Sequence, residues 1–241
     1  VGLVGLCIMM LYSILIFPMS WLAGHSKLRD DFVDMVYPSE GFLVPISIVN
    51  KYAGHTAIQL THILPGAVWA GVIPFQLHKT WRSSHRRAHR LMGYAFFGCS
   101  LSSMFGLSLI FKRGLFFENF FEDADPSIPY RSTLPYMLTI SAWFSFTGLV
   151  AFWFAVQRKF ALHQTWVIRH VGAGIWISIQ RILASTIIPP ILRTPVPPHM
   201  QRMAFGETAK CGMVVTLVCA ELAIYLMKRI EQNKKLADKS S

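Results

Sequence analysis

The chain has 241 residues, 53% of them hydrophobic and 15% charged, and a formal net charge of +11. A soluble domain carries nearer a quarter charged residues, so apolar runs of about twenty residues point away from an ordinary soluble core and toward one helical membrane bundle. The basic residues stand at the ends of those runs, interleaved with tryptophan, a pattern that suits a lipid surface rather than nucleic acid.

The expected fold is all-α, a polytopic bundle of about six transmembrane helices. The first segment covers about 1–22 and is broken by Pro18 and Gly24; a signal-peptide core is its alternative reading. The second, 54–77, carries His55, Gln59, His62 and Gly66 on one polar stripe. Pro65 has no backbone donor and frees the carbonyl of Thr61, so a kink beside His62 is expected. The connection that follows, Trp81 to Gly93, sets His85/His89 and Arg86/Arg90 one helical turn apart. No carboxylate or cysteine completes a zinc set there, and its arginines suit phosphate or carboxylate groups, lipid headgroups included.

The third and fourth segments are 89–111 and 134–157. Between them Leu115–Phe121 reads as a short amphipathic piece at the interface, followed into water by Glu122, Asp123 and Asp125. The fifth, 164–188, stops at Pro189-Pro190, and His163, His170, Gly174 and Arg181 fall within about 20° of one line along it. The sixth, 207–228, contains Glu221 and leads into a charged tail, 229–241. Cys7, Cys99, Cys211 and Cys219 lie in apolar segments without metal or disulfide spacing and read as packing residues.

The connections 78–90 and 157–169 with the tail from 228 hold 13 Lys/Arg and two acids, against nine of each in the opposite connections. The positive-inside rule then puts both termini on the cytoplasmic or matrix side. Depth along the helices sorts the costly residues. His62 and Arg181 share an outer layer, Glu221 belongs with Arg169 or His170, and His89 and His163 lie at the inner surface. A charge inside hydrocarbon costs on the order of 2.5–3.5 kcal/mol on insertion scales, so each should have a partner or a task.

These residues resemble the multi-pass membrane family catalogued as domain of unknown function 2306. The resemblance rests on His62; His89, Arg90, Gly93 and Tyr94; His163, Trp166 and Arg169; Arg181; and Glu221, in order over about 55–221. A looser similarity, to cytochrome b561 and ferric-reductase haem bundles, implies a haem b held by His89 and His163 with Arg86, Arg90 and Arg169 near its propionates. The spacing argues against a second haem. Two functions follow as expectations. One is a redox protein binding haem b or a quinone-like ligand through His62, His89, His163, Arg90, Arg169, Arg181 and Glu221. The other is a transporter or accessory subunit of a larger membrane complex, with the polar core serving packing or ion passage.

Overall fold

The computed structural model describes residues 2–16, 47–48, 51–121, 130–187 and 198–240. The expected stops at Pro18, Gly24 and Pro189-Pro190 and the acidic run Glu122, Asp123 and Asp125 lie outside them. Among the described residues every regular element is a helix. In chain order the longer ones are α1 (Gly2–Ile16), α2 (Thr56–Leu77), α3 (Lys79–Ser84), α4 (Arg86–Lys112), α5 (Leu134–Val156), α6 (Phe160–Ile182) and α7 (Pro198–Ser240), with a 3-10 turn at Phe117–Phe120 and a π turn at Leu183–Ile187. Four of them, α2, α4, α5 and the part of α7 from Met200 to Asp238, are long and apolar enough to cross a membrane; α1 has a shorter apolar stretch, Gly2–Leu11. At 1.5 Å per residue α7 runs about 64 Å, roughly twice a hydrocarbon core.

The interruptions have local causes. In α2 the residues Gln59–Ile63 form a π turn that begins six residues before Pro65. The Thr61 carbonyl, which a residue with an N–H at position 65 would have bonded, instead accepts from Ser102 Oγ of α4 at 2.9 Å. Gly106 of α4 permits that approach, because a Cβ there would lie 2.6 Å from the His62 Cβ. Between α2 and α3 the chain extends at His78, whose ring accepts from the Trp81 amide at 3.1 Å and so caps α3. The bend between α3 and α4 falls at His85. Gly114, at φ +67°, ends α4 in a left-handed turn.

Helix α6 is the post of the bundle and packs on α1, α5 and α7; α2 packs on α1 and α4. One core joins Cys7 and Met10 of α1, Trp69, Ala70 and Ile73 of α2, Phe96 of α4, Ala151 of α5, and Val167, Val171 and Ile175 of α6. A second joins α5, α6 and α7 through Ile140, Ala173, Trp176, Ala209 and Met213. Helices α6 and α7 meet closely on glycines: a Cβ on Gly172 would sit 2.7 Å from Ala220, and one on Gly212 2.9 Å from the Trp176 carbonyl. These contacts let α6 bury Thr165, His170, Ser178 and Gln180 against protein rather than lipid.

Candidate functional site

The polar residues form separate groups along α6 rather than one cluster. In the middle, His170 is completely buried. Its Nδ1 lies 3.0 Å from the Phe144 carbonyl and its Nε2 2.9 Å from Ser100 Oγ. A carbonyl only accepts, so in the neutral ring Nδ1 carries the proton and Nε2 accepts from the Ser100 hydroxyl. That hydroxyl is also 2.9 Å from the Phe96 carbonyl, so one proton serves two acceptors. Phe144, Phe96, Trp69 and Phe97 close around the imidazole with centroid separations of 4.1, 5.4, 5.9 and 6.0 Å. Gly148 makes the room, since a Cβ there would lie 2.9 Å from the ring. His170 thus has both nitrogens occupied and no path to solvent.

The neighbouring residue points elsewhere. Arg169 forms a two-pronged pair with Glu221 of α7, Nε–Oε1 at 2.6 Å and Nη2–Oε2 at 3.0 Å, and its guanidinium lies 4.7 Å from the Trp166 ring centre. The depth comparison left Glu221 a choice between Arg169 and His170; the carboxylate meets Arg169, because His170 turns toward α4 and α5. The pair is not a core feature. The Glu221 side chain is 55% exposed and that of Arg169 23%, on the outside of the α6–α7 contact.

Near the N-terminal ends of α4 and α6, His163 acts electrostatically on His89, and Arg82 of α3 acts on both. His163 Nδ1 donates to the Ala151 carbonyl at 2.8 Å, which leaves its Nε2 with a lone pair. Nδ1 of His89 is enclosed and has no hydrogen-bond partner. The two rings therefore present free ring nitrogens where His170 presents none. The backbone carbonyl of His89 accepts from Gln76 Nε2 at 3.1 Å, which ties this end of α4 to α2. Of the family-like neighbours, Gly93 stands against Gln76, while Arg90 and Tyr94 are exposed.

The outer group holds His62, Lys51, Tyr52 and Arg181. His62 Nδ1 donates to the Ser103 carbonyl at 2.7 Å. Lys51 acts electrostatically on both His62 and Arg181. Enclosure, with Arg181 as the second cause, pulls the Lys51 ammonium down to about 7, and the face of the Tyr52 ring lies 4.7 Å from its Nζ. Arg181 itself lies over Phe205 at 5.7 Å.

The seven residues named from sequence thus divide into an inner pair with Arg90 nearby, an outward ion pair and an outer group. Sequence reasoning passed over Ser100, Thr147, Gly148 and Trp69, which enclose His170. A serine, a threonine and a glycine in apolar helices were the available signal, but small residues there are common enough to say little alone. Among the described residues, no group of three or more His, Cys, Asp or Glu is placed to hold a metal ion. No family model, no curated protein and no solved structure matches the chain.

Proposed function

We propose that this is an integral membrane protein of six spans, with both termini on the cytoplasmic or matrix side, that binds a redox ligand between His89 and His163. Haem b is the first form of that ligand and a quinone-like head group the second. The observation that carries the reading is the enclosed, unpartnered Nδ1 of His89 beside His163, whose Nδ1–H is engaged by the Ala151 carbonyl. A buried polar atom without a partner costs roughly 1–3 kcal/mol, a cost that an iron or a ligand hydroxyl would remove. A backbone carbonyl holding the far nitrogen is the usual support of a metal-bound imidazole, and His163 has one.

The donor set fits a porphyrin with qualifications that are themselves testable. His163 would offer Nε2. His89, whose buried nitrogen is Nδ1, would offer that atom or turn its ring. Arg82, which already acts on both rings, and Arg90 on the next turn of α4 from Arg86 are the cations for propionates. A bound haem would supply one-electron transfer; the chain's part is to hold the rings, balance the propionate charge and keep water out. His62, Arg181 and Glu221 belong to other groups and have no part in this ligand set. The resemblance to the domain of unknown function 2306 family is retained as part of the proposal.

The test is a dithionite-reduced minus oxidised spectrum of the detergent-purified protein. Soret and α bands are expected for haem. Their absence, with no quinone in a solvent extract, would remove the redox reading. A second reading, an accessory subunit of a larger membrane complex, is favoured by the outward Arg169–Glu221 pair, because charges exposed at that position are expensive in lipid and inexpensive against a polar partner. It predicts co-purification with other subunits and their loss in Glu221→Leu.

A further inference from the structure

The bend between α3 and α4 carries a cluster of cations that, among the described residues, no ion pair balances. From Lys51 to Phe117 there is no Asp or Glu, and within that stretch Lys79, Arg82, Arg86, Arg87 and Arg90 gather at the inner surface. The ion pairs Arg169–Glu221 and Lys210–Glu207 lie away from this bend. Ser83, Ser84, His85, Arg86, Arg87 and Ala88 line an open depression at the bend itself. Both serine hydroxyls donate to the Thr80 carbonyl at 2.9 Å, so the arginines are its available donors.

The surroundings indicate where an anion would come from. Trp81 stands edge-on to Phe75 at 5.5 Å and stacks on His85 at 5.4 Å, an aromatic anchor of the kind found at headgroup level. Further along α4, Leu91, Tyr94, Leu101 and Phe105 form an exposed apolar stripe at spacings of three, seven and four residues; Leu91 is 71% exposed. Gly98 lies on the same stripe with nothing within 4 Å of a would-be Cβ, a notch in the helix surface. Cations above and an apolar stripe below match an amphiphile with an anionic head. We infer that the α3–α4 bend binds an inner-leaflet lipid whose head is a phosphomonoester, with Arg86 and Arg87 on the phosphate and an acyl chain along Leu91 to Phe105.

A phosphomonoester carries more negative charge and one more terminal oxygen than a phosphodiester, so two adjacent guanidinium groups favour it and the site separates lipids by head charge. Diffuse attraction between a basic surface and an anionic leaflet would not discriminate between equal losses of charge. The test is native mass spectrometry of the full chain in detergent with dioctanoyl phosphatidic acid as the probe, and dioctanoyl phosphatidylserine and inorganic phosphate as comparators. Phosphatidic acid is expected to bind at least about tenfold tighter than phosphatidylserine. R86Q/R87Q should abolish that preference, and K234Q/K235Q, which removes the same charge from the tail, should leave it within about twofold. Equal losses in the two double variants, or equal binding of the two lipids, would overturn the inference. Displacement of the lipid by millimolar inorganic phosphate would assign the site to a free phosphate and would overturn the lipid source. Correct folding of R86Q/R87Q is checked by an unchanged unfolding temperature without lipid.

Discussion

His170 and His163 share α6 and His89 lies on α4, yet the surroundings of His170 differ in kind from those of the other two. The His170 ring has a carbonyl on one nitrogen, a hydroxyl on the other and aromatic rings around it. Near the N-terminal ends of α4 and α6, His89 keeps an enclosed nitrogen without a partner, and His163 commits only one of its two. A histidine with every hydrogen-bonding site occupied fixes helix packing. One with a site left open can take a ligand, and the comparison separates the fully bonded histidine from the two with an open nitrogen without reference to sequence position.

The largest expected effect tests the closed side. His170→Ala removes a filled ring from an aromatic cage and leaves a cavity there, so it should destabilise by roughly 3 kcal/mol, seen as a clear drop in unfolding temperature in detergent. His89→Ala removes an unsatisfied atom and should move that temperature far less. Equal losses would erase the distinction. Gly148→Val comes next: even a Cβ at that position would lie 2.9 Å from the His170 ring, so the branched side chain should cost about 1–3 kcal/mol, with no corresponding effect of Gly98→Val on the open stripe.

Arg169 provides a third contrast, since it adjoins His170 but bonds outward. A double-mutant cycle of Arg169→Leu and Glu221→Leu should give a coupling of about 1 kcal/mol in detergent, the size seen for polar pairs in membrane proteins. A coupling near zero would mean that the pair is solvated and structurally idle.

A fourth contrast concerns the group around His62, where burial and then Arg181 pull the Lys51 ammonium from its ordinary 10.5 down to about 7. The unfolded chain then binds the extra proton between those values, so stability should rise as pH increases from about 7 toward 10.5 and be level below 7. Lys51→Met should lack that rise and be the more stable protein at pH 7. Parallel profiles for the two proteins would show that Lys51 is solvated.

Much of the architecture was legible beforehand. The apolar runs marked helices over Thr56–Leu77, Arg86–Lys112 and Leu134–Val156 within a few residues, and Pro65 marked a disturbance beside His62. Hydrophobicity and proline chemistry are local, so sequence carries them. What Pro65 produced, a π turn whose freed carbonyl is taken by Ser102, depended on a helix more than thirty residues away and could not be read locally. The same limit applied at His170. Depth along α6 was countable, but which side of the helix meets Ser100 and which meets Glu221 is fixed by how α4, α5 and α7 surround it.

The central claim is that the open histidines, not the closed one, hold the ligand. The most direct measurement is the reduced minus oxidised spectrum recorded side by side for the unmodified protein, His89→Ala, His163→Ala and His170→Gln. Bands that are present in the unmodified protein, lost in the first two variants and kept in His170→Gln are the predicted result. Bands that survive both inner substitutions, or vanish only with His170, would contradict it.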